Sequence, residues 1–437
     1  MSPDIFKYKL FTISLVMMVH LICLPGILSA SDARLTLRTC IEQGLKNHPS
    51  IRVVRENITA GRSRESQISS SYFPHINAST GYTESHSLGG AFGDTITKSY
   101  TTTLSANQLI YDFGKTGHAQ EGARSSTLSL ELESRRVVQE VIFNIKEAYY
   151  ALLQAKKLVI VAQKTLEQAE SHLKQAEVFF HAGSKPKFDV TRAEVEVNSA
   201  RLGLINAGNN VRIRTIMLSN AMGMDLGNAV DIEDVLGSPV ILPKMEEARS
   251  EAMKNRPEML KAFADIDAAR SRVQTEEATY FPTISASGAY NWAQGTAEMG
   301  MFKGDIQNSW NAGIMLSVPL FEGGLTRGKV NEARANLRAL EAQGDAFMQA
   351  VRLEVDQAYA DLESAAMRVG VMESSLNKAR ENLDIAQGRY EAGIGPYIEV
   401  TDAQLSAVQA ETDHVQAQYD HQLAVAKLYK AMGRTEP

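Results

Sequence analysis

Cysteine is nearly absent: the 437 residues hold only Cys23 and Cys40, too few for a disulfide scaffold or a cysteine-based metal site. No His-x-x-x-His pair, cysteine cluster or nucleophile motif occurs, so nothing points to catalysis and neither a cofactor nor a metal is expected. Charge of one sign is also missing, with 45 Lys+Arg against 51 Asp+Glu and a net charge of −6. Nucleic-acid partners need concentrated basic residues and are excluded. Only 12 prolines and 7% aromatics favour long helices over a dense all-β protein. After residue 31 no apolar run is long enough for a membrane-spanning helix, so a bilayer crossing must use strands.

Residues 1–30 read as a secretory signal. Lys7 and Lys9 form a basic start, Leu10 to Leu28 is mostly apolar, and Ser29-Ala30-Ser31 offers small residues for cleavage. An uncleaved anchor helix is the alternative. Lipidation at Cys23 is disfavoured, because Ile22 stands where a small residue is expected. Cleavage leaves Cys40 as the single cysteine.

The rest is one unit written twice. Asn47-His48-Pro49 returns as Asn255-Arg256-Pro257, and Tyr72-Phe73-Pro74 as Tyr280-Phe281-Pro282, both displaced by 208. Ala182-Gly183 returns as Ala392-Gly393, and Ala221-Met222-Gly223 as Ala431-Met432-Gly433, displaced by 210. One two-residue insertion between the copies accounts for the change, as a loop tolerates. The repeats divide the chain into residues 31–223, a linker at 224–245, and residues 246–437.

Each copy opens with a helical segment, about 36–70 and 246–279, with Asn-x-Pro in its first turns. A hairpin of alternating residues follows, 75–110 and 283–320. Ile76, Ala78, Thr80, Tyr82 alternate with Asn77, Ser79, Gly81, Thr83, and the second copy does the same from Ile284 to Trp292. Polar loops are expected at Leu88–Thr97 and Gln294–Gln307. Tyr82, Tyr100, Tyr290, Trp292 and Trp310 lie near the loop ends, as a membrane aromatic girdle would. Long helices come next, 114–181 and 324–390, carrying a 4-3 seam from Val141 to Phe180 and from Val351 to Tyr390. Return helices run 188–222 and 398–432, so each copy ends in a coiled-coil hairpin whose tip is Ala-Gly.

Length arithmetic then sets the architecture. A helix of about 68 residues spans roughly 100 Å, and opening plus return helices match one such rod end to end. One chain offers four strands and four rod-lengths, too few to close a spanning barrel. The expected fold class is therefore mainly α with transmembrane β. Three copies build a 12-stranded β-barrel continued by a 12-rod α-helical barrel.

The duplicated layout, Asn-x-Pro, Tyr-Phe-Pro, Tyr111-Asp112-Phe113-Gly114 with Phe321-Glu322-Gly323-Gly324, and the Ala-Gly tips resemble TolC-type outer-membrane efflux proteins over essentially the whole mature chain. The resemblance implies a homotrimer embedded in outer-membrane lipid with a periplasmic tunnel. It implies a passive exit duct for efflux or type I secretion, working with a periplasmic adaptor (membrane fusion) protein and an inner-membrane transporter that supplies the energy. It also places Glu399 and Asp402 at the periplasmic entrance as an acidic, cation-selecting ring, with Asp189 the equivalent in the first copy and Arg192 replacing the second acid. Where the family's closed entrance is locked by an arginine, this sequence has Gly395. Adaptor contacts are expected at the tips, on Gly183, Lys185, Gly393, Gly395 and Tyr397, with turn chemistry explaining the glycines.

Phe113-Gly114-Lys115-Thr116 mimics the end of a phosphate loop but lacks its first glycine, and a strand-to-helix bend is expected instead. His414 and His421 lie seven apart on one return helix; metal binding between them or into a lumen is the alternative, and a polar break in the seam is the commoner explanation. Against the export channel stands a reading of another class, a periplasmic coiled-coil scaffold or adaptor whose hairpins form soluble sheet.

Overall fold

The computed structural model describes residues 34–90, 93–227, 230–234, 243–299, 302–305 and 307–434. The signal segment 1–30, with Cys23, lies outside the described residues. No helix among them is long and apolar enough to cross a membrane.

Where one opening helix per copy was expected, there are two. Helix α1 spans Leu37–Asn47 and α2 Pro49–Ser69, and in the second copy α5 spans Met245–Asn255 and α6 Pro257–Glu277. His48 (ψ 126°) and Arg256 (ψ 123°) are extended, because a residue before proline is pushed out of the helical region. Pro49 and Pro257 then restart the chain at the first helical position, where a missing N–H costs nothing. The Asn-x-Pro motif is thus a hinge between helices and not an early turn of one.

The repeated Ala-Met-Gly motifs belong to these hinges. Gly223 (φ +66°) and Gly433 (φ +78°) end the return helices in the left-handed region. A Cβ on Gly223 would lie 2.8 Å from the His48 Cα, and one on Gly433 would lie 2.9 Å from the Arg256 nitrogen. Two motifs nearly 180 residues apart in each copy recur together because their backbones touch.

The long helices are α3 (Lys115–His181) and α7 (Leu325–Glu391), each of 67 residues, hence about 100 Å long. Their return helices are α4 (Lys187–Met222) and α8 (Tyr397–Ala431). At the start of α3, Gly114 (φ +88°) turns the chain out of the sheet and Asp112 accepts from the Thr116 amide at 2.8 Å and its hydroxyl at 2.5 Å. This is helix capping, and Thr116 faces a carboxylate, not a phosphate. Glu322 and Thr326 repeat the pairing at the start of α7.

The 4-3 seam is buried most completely in the second copy, at Val351, Val355, Ala358, Leu362, Ala365, Leu376, Leu383, Ala386 and Tyr390. A second apolar stripe on the same rods, unremarked in the sequence, stays exposed: Phe188, Val195, Leu202 and Ile216 on α4, and Leu353, Met367, Val371 and Ile385 on α7.

The strands form one antiparallel sheet, β1 (His75–Gly90), β2 (Gly93–Tyr111), β3 (Thr283–Met299) and β5 (Ser309–Ser317), with the short β4 (Phe302–Asp305) pairing the outer end of β3. The two hairpins are joined through β2 and β3, leaving β1 and β5 as open edges. Most of the expected loops are strand: β1 and β2 stay paired from Glu84–Lys98 out to Ser87–Thr95 and again at Gly90–Gly93, across a register shift. Thr- and Ser-rich stretches suit strands whose faces meet water, so polarity alone did not mark a loop.

Candidate functional site

Two places carry the chemistry of this fold, the sheet faces and the helical tips. Cross-strand pairing puts Ile76, Ala78, Thr80 and Tyr82 on one face with Tyr100, Leu104, Ala286, Tyr290, Trp292, Trp310, Ile314 and Leu316. The other face presents Asn77, Ser79, Thr101, Thr103, Ser105, Ser285, Ser287, Asn291 and Asn311. The apolar face is open, with Trp310 at 74% and Ile314 at 79% exposure. An apolar outer face and a polar inner face are what lipid outside and water inside require.

The five aromatics expected as a girdle converge. Tyr82 and Tyr100 have ring centroids 4.8 Å apart, Tyr290 and Trp292 are 4.3 Å apart, and Tyr290 pairs with Trp310. They do not all sit near loop ends, since β1 runs eight residues past Tyr82. What lies just beyond them on the same face is a charged rung, Glu84–Lys98 at 3.0 Å, so the apolar band stops there.

A second aromatic band closes the other end, formed by the residues read in sequence only as helix stops and bends. Tyr111 and Phe113 are 4.7 Å apart, Phe113 stacks on Phe281 at 5.6 Å, and Tyr72, Phe73 and Tyr280 are exposed beside them. A register shift between Leu109 and Tyr111 puts Tyr111 opposite Ile284, on the apolar face. From Tyr100 to Tyr111 is eleven residues, roughly 36 Å along a strand and about 27 Å once tilted, close to the thickness of an outer-membrane apolar belt.

At the far end of the rods the two hairpins meet. Gly183 (φ +69°) donates to the Phe180 carbonyl and Ser184 to that of Phe179, and Gly393 (φ +78°) donates to Tyr390. These are helix C-caps that only glycine adopts without strain. Ala176, Val190, Ala193, Leu383, Ala386, Val400, Ala403 and Ala407 pack beneath them around Tyr390 and Tyr397, whose rings are 5.3 Å apart. Lys185 of the first tip sits 4.9 Å over the Tyr390 ring of the second.

Glu196 on α4 is the polar link between the hairpins. Its carboxylate accepts from the Tyr397 hydroxyl at 2.6 Å and from the Thr401 hydroxyl at 2.7 Å, with Arg192 behind it at 3.8 Å. A cavity of about 460 Å³ opens beside it, lined by Leu158, Val161, His172, Gln404 and Leu405. At that level the hairpins do not fill the space between them. Burial holds the His172 imidazole below its usual pKa, opposed by Glu196 and Glu391.

The expected site residues divide accordingly. Gly183 and Gly393 are exposed at the turns and Lys185 is half-buried. Tyr397, expected to meet an adaptor, is 3% exposed and faces Glu196. Gly395, also expected there, is buried under Arg389 and Glu399, and its φ is not left-handed, so turn chemistry does not account for it. Asp189, expected at the entrance, is 8% exposed. It lies beside the Tyr390 hydroxyl. Burial, and then that carboxylate, push the phenol up to about 12. Its charge is directed into the tip and not into an aqueous opening. Glu399 is half-exposed and paired with Arg389 at 3.1 Å, and Asp402 is exposed.

Glu196, Arg389 and His172 were missed in the sequence. One signal was available. Glu196 corresponds to Ser406 and Tyr397 to Lys187, so the bond between hairpins forms where the two copies differ. His414 contacts Gln418 at 3.0 Å, and among the described residues no group of three ligating side chains could hold a metal.

A sheet with a lipid-fit face and two open edges, carried on rods about 100 Å long, has the layout of a membrane-spanning sheet continued by tunnel helices. The model of the outer membrane efflux protein family matches residues 40–224 and again 248–434, one match per copy. The chain belongs to that family. It is 25% identical over 407 residues to the outer membrane protein OprJ of Pseudomonas aeruginosa, covering 91% of this chain and 84% of that protein. It is 23% identical to the probable outer membrane lipoprotein SilC of Salmonella typhimurium, covering 90% and 84%. The crystal structure of CusC superposes with a TM-score of 0.81 at 21% identity, over 91% of this chain and 92% of that one. The protein is an outer-membrane efflux channel with a periplasmic tunnel, a conduit and not an enzyme.

Proposed function

We propose that three copies of this chain close into one duct. It serves as the exit channel of a tripartite efflux or type I secretion assembly, docked by a periplasmic adaptor (membrane fusion) protein that recruits an inner-membrane transporter. The observation that carries this reading is the pair of open edges, β1 and β5, on a sheet with an exposed apolar face. Lipid tolerates no unpaired edge, so each edge needs another copy. The exposed stripes on α4 and α7 give the rods the same need in the periplasm, because a second apolar seam requires a second partner helix. Twelve principal strands and twelve rods satisfy both needs together.

In this duct Glu399 and Asp402 ring the periplasmic entrance, while Asp189 and Glu196 act inside the tip to hold one hairpin on the other. Adaptor contact falls to the exposed tip positions Gly183, Gly393 and Ile394 with half-buried Lys185. Detergent-extracted protein measured by light scattering should have three times the chain mass, and a monomer would end the reading. In planar bilayers Glu399→Gln with Asp402→Asn should reduce preference for cations, and unchanged selectivity would remove the ring assignment while leaving the trimer intact.

A further inference from the structure

Gly395 has no conformational reason to be glycine, since its φ is not among the positive ones. Its reason is space. A Cβ there would lie 3.1 Å from the Arg389 Cβ and 3.2 Å from the Glu399 Oε2. The amides of Ile394 and Gly395 both donate to the Arg389 carbonyl, at 3.1 and 3.0 Å. The turn is therefore wrapped around Arg389, and the Arg389 side chain crosses the glycine to meet Glu399 at 3.1 Å.

We propose that Arg389, seated on Gly395, is a selectivity-determining residue of the duct that masks Glu399 and leaves Asp402 to set the entrance charge. This rests on the reading of Glu399 and Asp402 as the entrance ring. The pair is about half exposed on both sides, so it adds little to stability. Its effect on a passing ion is different in kind. Opposite charges at 3.1 Å present only a dipole at the distance of an ion in the opening, whereas a bare carboxylate presents a full charge. The placement is favourable, with Arg389 in the last turn of α7 and Glu399 in the first turn of α8, each complementing its own helix end. Nearby Glu391 is directed elsewhere, toward Gln175 at 3.5 Å. The first tip has no counterpart, because Phe179, Lys185 and Asp189 stand at the matching positions and Lys185 covers Tyr390 instead.

The test uses the purified full-length channel in planar bilayers under a KCl gradient, reading the cation-to-anion permeability ratio from the reversal potential. Arg389→Gln unmasks Glu399 and should raise the ratio about tenfold, the summed effect of three charges, one per copy, at roughly 8 Å in screened water. Arg389→Lys should stay near the unmodified channel. Glu399→Gln, which leaves Arg389 uncompensated, should lower the ratio by a similar factor. The double variant Arg389→Gln with Glu399→Gln should return close to the starting value, and Asp402→Asn should lower it in every background. Arg389→Gln without effect, while Asp402→Asn lowers the ratio, would overturn the masking and leave the ring standing. An equal rise in Arg389→Gln and in the double variant would overturn the coupling to Glu399. If neither Arg389→Gln nor Asp402→Asn alters the ratio, the ring reading falls and this inference with it.

Discussion

The bond between hairpins at Glu196 yields the sharpest expectation. Tyr397→Phe keeps the ring in its cluster and removes only the hydroxyl that donates to Glu196 at 2.6 Å; Thr401→Val removes the second donor, at 2.7 Å. Hydrogen bonds to a charged acceptor contribute about 1.5–3 kcal/mol when buried. The Glu196 side chain is 26% exposed and has Arg192 nearby, so about 1 kcal/mol per donor is the appropriate discount. Removing both donors should therefore cost about 2 kcal/mol, roughly thirtyfold in the population with separated hairpins. Single-channel recording measures this as the ratio of time in wide and narrow conductance levels. Tyr397→Phe should raise that ratio about fivefold, and the same change in a Glu196→Ala background should do almost nothing. If Tyr397→Phe has the same effect in both backgrounds, the hydroxyl acts elsewhere and the latch does not exist.

Burial lowers the His172 pKa, so the released tip binds a proton more readily than the packed one. Its contribution is fully present above the ordinary histidine range, near pH 6.5, and is lost as pH falls toward the lowered value. Heat-induced dissociation should occur at lower temperature at pH 5 than at pH 7.5, and His172→Gln should shrink that difference. His421, also lowered by burial, acts in the same direction. Gly223→Ala and Gly433→Ala each force a Cβ within 3 Å of a hinge backbone at positive φ, and each should cost about 1–3 kcal/mol, read as a lower melting temperature. Ile314→Arg on the apolar face should cost about 2–4 kcal/mol and impair insertion into liposomes. Asn311→Arg on the polar face should insert normally, and equal impairment of both would contradict the assignment of faces.

Much of this protein was legible along the chain because its signals are local and periodic. Alternation from Ile76 to Tyr82 set which side chains share a sheet face, since a strand has period two whatever it packs on. The 4-3 spacing from Val351 to Tyr390 set the buried seam, and prolines and glycines marked the tips. The duplication set the expected count of four principal strands and four rod-lengths per chain, from which the proposed three-copy duct follows. What the chain alone left undecided depends on residues brought together from far apart. Asn-x-Pro and Ala-Met-Gly looked like separate punctuation until the hinge backbones met Gly223 and Gly433. Tyr397 and Asp189 read as surface residues of a turn, but the opposing hairpin buries both. Gly395 read as turn chemistry, yet only the crossing of Arg389 to Glu399 explains it. A sequence states which residues follow one another and what each prefers locally. Which carboxylate faces water, and which is held inside, was decided by the second hairpin lying against the first.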